Sequence, residues 1–258
     1  MSAKSDHPLL SIITVCRNEA GRIRRTIDSV VQQSDLDFEW IVVDGASSDG
    51  TVDILRHSGA PIDRLISEPD TGIYDAMNKG VLAARGEYTL FLNAGDRLEN
   101  RDVVHVFRER NFKADLVVGD IRVILKNGRE LLRKCTDRPL DRDFLYWRSF
   151  PHPGTFIRRS LFERHGLYDI SFKIAADREF FNRVVSHGAS VEPFSHCISV
   201  FTNDGVSYNF ENRKRLYGER RRIRRIYYPA SYRWRRAFNE TFGHCVHQIL
   251  TKTGVRKS

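Results

Sequence analysis

Three aspartates stand just past short apolar runs. Asp44 closes Trp40-Ile-Val-Val-Asp44, Asp70 follows Leu65-Ile-Ser67, and Asp96 ends Asn93-Ala-Gly-Asp96 directly behind Tyr88-Thr-Leu-Phe-Leu92. Carboxylates at the carboxyl ends of strands can hold ligand hydroxyls or a hard cation, and Mg2+ commonly takes one or two carboxylates and completes its shell with substrate phosphates. Asp and Asn are also turn formers, which accounts for any one of the three taken alone. Together they point to a nucleotide site. A fourth acid, Asp177, opens a helical stretch in the second half, where its residue type alone reads as a helix cap worth about 1 kcal/mol. His152 sits in the Pro-rich turn Phe150-Pro-His-Pro-Gly154, where a lone His reads as structural.

The elements that must position these groups follow from hydrophobic period. The β-branched run over 9–15 has the composition of a strand buried on both faces, and Ile23, Ile27, Val30 and Val31 then recur at helical spacing, predicting an amphipathic helix over 19–33. Strands follow over 40–44, 65–67, 88–92 and 116–119, separated by helices over 52–56, 73–85 and 103–109, with Gly80 a weak point in the second of these. This alternation predicts an α/β fold with a largely parallel sheet covered by helices, and ligands in such sheets bind beyond the carboxyl strand ends. After Asp120 the pattern becomes mixed: Asn127-Gly128 between two apolar stretches is a strong hairpin signal, followed by a helix over 177–187 and a strand over 198–201.

The chain has 258 residues, 41% of them hydrophobic, enough to bury a substantial core. No apolar run approaches the ~20 residues of a membrane-spanning helix, and the first apolar run is too short for a signal-peptide core, so the expected location is the cytoplasm. Cys16, Cys135, Cys197 and Cys245 are widely spaced with no metal-site pattern and are expected as reduced thiols. The net charge of +9 is local: 211–236 holds eleven Lys or Arg against two Glu, and the remainder sums to zero. That argues for an anionic partner of the tail and against a nucleic-acid face spread over the whole domain. Two tail helices flank Pro229, the first with Leu216, Ile223 and Tyr227 on one stripe and the second with Trp234, Phe238, Phe242 and Ile249. The stripe can pack on a domain, or the basic face can lie on an anionic membrane.

Ser11-Ile-Ile-Thr-Val-Cys-Arg-Asn-Glu19, Ile41-Val-Val-Asp-Gly-Ala-Ser-Ser-Asp-Gly-Thr51 and Glu68-Pro-Asp-Thr-Gly-Ile-Tyr-Asp-Ala-Met-Asn-Lys-Gly80, running on to Phe91-Leu-Asn-Ala-Gly-Asp96, together resemble the family-two glycosyltransferases. Within that family the chain is most similar to small bacterial transferases of exopolysaccharide and O-antigen synthesis, including the colanic-acid type, over about residues 9–205. The resemblance implies an A-type glycosyltransferase fold with a donor half over about 9–120 and an acceptor half over about 121–210; the basic helical tail over 211–258 lies beyond it. It implies a UDP- or GDP-sugar as donor and a glycan or lipid-linked acceptor. Val15, Arg17, Glu19, Asp44, Asp70, Asn93 and Gly95 would border the donor, with Asp44 near the base or ribose. Asp96 would correspond to the last carboxylate of the metal motif for Mg2+ or Mn2+. Asn93 and Gly95 stand where many members carry Asp, which leaves the diphosphate to complete the cation site. Val15 and Arg17 replace a common Pro and Tyr, and Met77 a common Arg, which leaves base specificity open; Arg17 is equally a phosphate contact or a solvated loop charge. In the second half, Asp177 resembles the catalytic base of inverting transfer, with Glu179 a weaker candidate, and His152 resembles a residue close to the reaction centre, against donor phosphate or acceptor. A nucleotidyltransferase is the nearest enzymatic rival, although neither G-x-G-x-x-G nor G-x-x-x-x-G-K-[ST] occurs. A nucleic-acid-binding module acting through the tail is the non-enzymatic rival. If the basic tail does meet a membrane, the enzyme would sit peripherally on the inner face of the cytoplasmic membrane.

Overall fold

The computed structural model describes residues 7–125, 127–135, 137–202 and 212–234. In chain order its elements are β1 (Leu10–Cys16), α1 (Ile23–Val31), β2 (Glu39–Asp44), α2 (Thr51–His57), β3 (Arg64–Ser67), α3 (Ile73–Ala83), β4 (Tyr88–Phe91), β5 (Arg97–Leu98), α4 (Val103–Glu109), β6 (Leu116–Ile124) and β7 (Glu130–Arg133). There follow α5 (Arg142–Trp147), a 3-10 turn over His152–Gly154, β8 (Thr155–Arg158), α6 (Ser160–His165), α7 (Ala176–Ser186), β9 (Val191–Thr202) and α8 (Arg213–Tyr227).

Every residue of β1, β2 and β4 is buried, as apolar runs without alternation require. Their alternate side chains feed two cores on opposite faces of one sheet. Ile13, Val15, Ile41, Val43 and Phe91 meet α3, α5, α6, α7 and Ile223 of α8 on one face. Leu10, Ile12, Trp40, Val42, Tyr88 and Leu90 meet α1, α2 and α4 on the other.

The strand order is β3-β2-β1-β4-β8-β6-β9-β5, with β7 hairpinned onto β6. β1 to β4 are parallel, as the βαβ alternation predicts. The strand after them in space is not the expected one over 116–119. β8 lies antiparallel between β4 and β6, pairing Thr89 with Ile157 on one side and Leu116 with Ile157 on the other. The stretches 116–119 and 121–125, read separately in the sequence, form the single strand β6, which keeps its course through a register shift against β9 at Gly119, Asp120 and Ile121. Its hairpin to β7 turns at Gly128 with φ of 78°.

α1 begins at Ile23 rather than residue 19, because 19–22 form a turn in which Arg22 and Ile23 both donate to the Glu19 carbonyl. Gly80 is a packing requirement rather than a weak point. A Cβ there would lie 2.4 Å from Ile13 Cγ2, so glycine lets α3 settle directly on β1.

α8 packs on this body. Ile223 and Tyr228 are buried, and the Tyr228 hydroxyl lies 2.7 Å from Asn182 Oδ1 and 2.8 Å from the Arg142 carbonyl. Leu216 and Tyr227 pack against the same core, which bears out the stripe read in the sequence. The second tail helix reaches the described residues only through Trp234; Phe238, Phe242 and Ile249 lie outside them. Among the described residues no helix is long and apolar enough to cross a membrane. Cys16, Cys135 and Cys197 carry free thiols, and Cys245 lies outside the described residues.

Candidate active site

A cleft of about 930 Å³ opens beyond the carboxyl ends of β1 and β4, where the topology predicts a ligand. One wall is built from two loops. The first follows β1 and carries Val15, Cys16, Arg17 and Glu19. Asn18 holds it with φ of 55°, a left-handed conformation in which the Asn18 amide N–H donates to Ser47 Oγ at 2.7 Å and its side-chain oxygen accepts from the Ser48 N–H at 3.0 Å. Glu19 forms a two-point ion pair with Arg22, at 2.7 and 2.6 Å.

The second loop, 93–96, follows β4. It stays bonded to β1 through the Ala94 N–H and the Val15 carbonyl, at 3.1 Å. Thr26 of α1 anchors its far end: the Thr26 hydroxyl accepts from the Gly95 N–H at 2.9 Å and donates to the Asp96 carbonyl at 2.7 Å. Gly95 has φ of 93° and packs beside the Arg22 side chain. Asn93, Gly95 and Asp96 all line the cleft, and Asp96 is only 6% exposed. Asn93 Oδ1 is buried and accepts no hydrogen bond from the protein, so its chemistry fits a cation or a ligand N–H. Among the described residues no group of three His, Cys, Asp or Glu side chains could hold a metal by itself.

Asp70 also lines the cleft, with Oδ1 fixed by the Gly72 N–H at 2.9 Å. Its other oxygen sits where a side chain on residue 45 would be, 2.1 Å from a Cβ built there, which is why glycine follows β2. Asp44 stands apart from this set. It is fully buried, away from the cleft lining, and its carboxylate is occupied by the Ser47 N–H at 3.0 Å, the Ser47 hydroxyl, the Ser67 hydroxyl at 2.8 Å and the Cys16 thiol at 3.6 Å. Asp44 therefore braces the loop behind the wall. Burial, with Asp44 next to it, pushes the Cys16 thiol far up, so it stays protonated.

The opposite wall comes from the second half. Asp177 lies in the first turn of α7, where helix amides favour a carboxylate, and Oδ1 accepts from the buried Tyr74 hydroxyl of α3 at 2.9 Å. Burial first, and Asp177 second, hold the Tyr74 phenol well above its ordinary range, so it remains a donor. Asp177 does not cap α7. The stretch leading into α7 is held by Glu219 of α8, whose carboxylate accepts from the N–H groups of Lys173, Ile174 and Ala175 at 2.8, 3.0 and 2.9 Å. Glu179 is buried on another face of α7, ion-paired to Arg183 at 3.1 Å and accepting from the Tyr227 hydroxyl, so it serves packing.

His152 lines the cleft between the walls. Its ring stacks on Phe91 at 4.7 Å, and Nε2 lies 3.4 Å from the Tyr168 hydroxyl. Burial lowers its pKa below 6.5 despite the opposing pull of Asp177, which makes the neutral imidazole the resting form.

Asp96 and Asp177 thus come from distant parts of the chain to one cavity, together with every expected site residue except Asp44 and the weaker candidate Glu179. The sequence reading missed Thr26, which holds the 93–96 loop, and Tyr74, which meets Asp177, and it missed that α8 supplies Arg213, Leu216, Tyr217 and Arg220 to the rim. The spacing of Leu216, Glu219, Ile223 and Tyr227 put the lone acid of α8 on its apolar stripe, which was the available signal.

Comparison with known proteins gives a consistent result. The family model for glycosyl transferase family 2 matches residues 11–183. The chain is 36% identical over 203 residues to a PGL/p-HBAD biosynthesis glycosyltransferase of Mycobacterium bovis (strain BCG / Pasteur 1173P2), covering 76% of this chain and 77% of that protein. It is 38% identical over 93 residues to the putative teichuronic acid biosynthesis glycosyltransferase TuaG of Bacillus subtilis (strain 168), covering 35% of this chain and 37% of that one. Among solved structures it resembles S. aureus TarS 1-349 in complex with UDP, with a TM-score of 0.64 at 20% identity over 75% of this chain. The mannosyltransferase PcManGT from Pyrobaculum calidifontis in complex with GDP-Man and Mn2+ gives 0.59 at 20% identity over 80% of this chain. The match spans 60% of the TarS chain and 59% of the PcManGT chain.

Proposed function

Because the chain belongs to glycosyl transferase family 2 and has the A-type glycosyltransferase fold, we propose that it moves a sugar, with inversion, from a UDP- or GDP-sugar to a hydroxyl of a glycan or lipid-linked acceptor in bacterial surface polysaccharide synthesis. Family membership sets aside the nucleotidyltransferase and nucleic-acid-binding readings of the 11–183 segment. The observation that carries the proposal is the convergence of Asp96 and Asp177 on one cleft beyond the strand ends.

In this reading Asp177 takes the acceptor hydroxyl proton while the oxygen attacks the anomeric carbon. The bond from that carbon to the nucleoside diphosphate breaks on the opposite face, and its electron pair leaves with the diphosphate. Tyr74 keeps the Asp177 carboxylate aimed by donating to one oxygen. Val15, Arg17, Glu19 and Asp70 border the donor, and neutral His152 offers a hydrogen bond to a phosphate or acceptor oxygen. Asp44 acts indirectly, by holding the loop those residues stand on. Asp96 and the unpartnered Asn93 Oδ1 would hold a divalent cation, Mg2+ or Mn2+, which supplies positive charge to the departing diphosphate when bound. Residues 1–210 carry the chemistry. The 211–258 tail contributes α8 to the rim, and the exposed Lys214, Arg215, Arg221 and Arg225 suit a peripheral position on an anionic inner membrane surface.

The test is Asp177→Asn. Transfer is expected to fall by on the order of a hundredfold or more, with thermal stabilisation by the donor retained. Turnover near wild type would place the base elsewhere.

A further inference from the structure

The acceptor end of the cleft is more cationic than a neutral sugar requires. Arg148, Lys173, Arg178 and Arg220 all line it, from three separate parts of the chain. Arg178 is 4% exposed, and its Nη2 is held by the carbonyls of Leu145 and Tyr146, at 2.9 Å each. Its Nε has no acceptor, and the buried Nε of Arg220 has none either. No carboxylate among the described residues forms an ion pair with Arg148, Lys173, Arg178 or Arg220.

Buried donors without acceptors and clustered like charges both destabilise a fold unless something satisfies them. Burial, and repulsion from Arg220 and Arg224, lower the Arg178 pKa to about 10, so the cluster resists its own charge. A cluster of guanidinium and ammonium groups with free donors matches a phosphate group, whose oxygens accept several N–H bonds at once. Lys173 and Arg178 flank Asp177 in sequence, so an anion bound there lies on the side of the base, where the acceptor enters.

Resting on the transfer reading above, we infer that the acceptor carries a phosphate, held by Arg148, Lys173, Arg178 and Arg220, and that α8 is thereby part of the acceptor site. A lipid-linked phosphate and a soluble sugar phosphate share this chemistry.

The experiment titrates full-length protein with n-decyl phosphate, glucose 1-phosphate and neutral n-decyl glucoside by calorimetry, with and without saturating UDP or GDP. Both phosphates are expected to bind alongside the nucleotide, and the glucoside to bind far more weakly. The Arg148→Gln/Arg220→Gln double variant is expected to bind phosphate on the order of tenfold more weakly or worse, with nucleotide affinity and circular dichroism unchanged, and Arg220→Lys to recover part of the loss. Tighter binding of decyl phosphate identifies a lipid carrier, and equal binding a soluble phosphate; either outcome supports the site. Displacement of phosphate by the nucleotide would assign the cluster to the donor and overturn the inference, as would equal phosphate binding by the variant or equal binding of the glucoside. If neither nucleotide binds, the donor reading fails, while the phosphate titrations still report on the cluster.

Discussion

Glu219→Gln isolates what joins α8 to the wall that carries Asp177. The wild-type carboxylate accepts three backbone N–H bonds: Lys173 to one oxygen, Ile174 and Ala175 to the other. Glutamine keeps one acceptor oxygen and turns an NH2 towards a backbone N–H. Hydrogen bonds to a charged acceptor contribute about 1.5–3 kcal/mol each and neutral ones about 0.5–1.5, so three bonds weaken together by roughly 3 kcal/mol. Along its length α8 buries only Glu219 and Ile223, so the loss is felt first as undocking of α8 rather than global unfolding. Roughly 3 kcal/mol corresponds to on the order of 100-fold in the opening equilibrium. Hydrogen exchange read by mass spectrometry at neutral pH should show that loss of protection in peptides covering 173–186 and 213–227, with β1 to β4 unchanged. Because the loosened loop leads into Asp177, turnover should fall while donor binding is kept. Wild-type protection in both peptides would refute the argument that this carboxylate holds the helix in place.

Asp96→Ala should abolish the extra thermal stabilisation that Mn2+ adds to a bound UDP- or GDP-sugar, and an undiminished increment would remove Asp96 from the cation site. Because burial lowers the His152 pKa below 6.5, the unfolded chain takes up a proton below that pH before the native state does, so stability is lost as pH falls from 6.5 towards the folded value. The drop in urea midpoint between about pH 7.5 and about pH 5.5 should therefore be smaller in His152→Gln than in wild type, and an equal drop would show that His152 is not the group involved. Gly80→Ala should lower stability by about 1–3 kcal/mol through overpacking, reversing the gain of about 1 kcal/mol that helix propensity alone predicts; a stabilised variant in urea unfolding would contradict the 2.4 Å approach to Ile13.

The parallel strands were legible because each is a short apolar run ended by turn residues, and α7 and the Asn127-Gly128 hairpin were legible because their signals are local. β8 was not. Thr155-Phe-Ile-Arg158 is four residues long, follows a Pro-Gly turn, and owes its place to partners in β4 and β6 that lie far off in sequence. Asp44 looked like a ligand because its strand-end position does not reveal that Ser67, on the neighbouring strand, turns inward to meet it. Residue type alone reads Asp177 as a cap because a helix start in the sequence does not show that this side chain meets the Tyr74 hydroxyl of α3 instead. The eleven basic residues of 211–236 look alike in the sequence, since only the packed structure separates Arg220, turned into the cleft, from Arg221, turned to water.

The antiparallel insertion of β8 has an engineering consequence. A chimaera cut at residue 120 would sever β6 midway and leave β4 and β6 of one parent waiting for a filler strand from the other, so the two halves are not exchangeable cassettes. α8 is held by the Glu219 carboxylate at its middle and by Arg224 and Tyr228 towards its C-terminal end, so a graft of this helix between relatives must bring the partners of those three side chains with it.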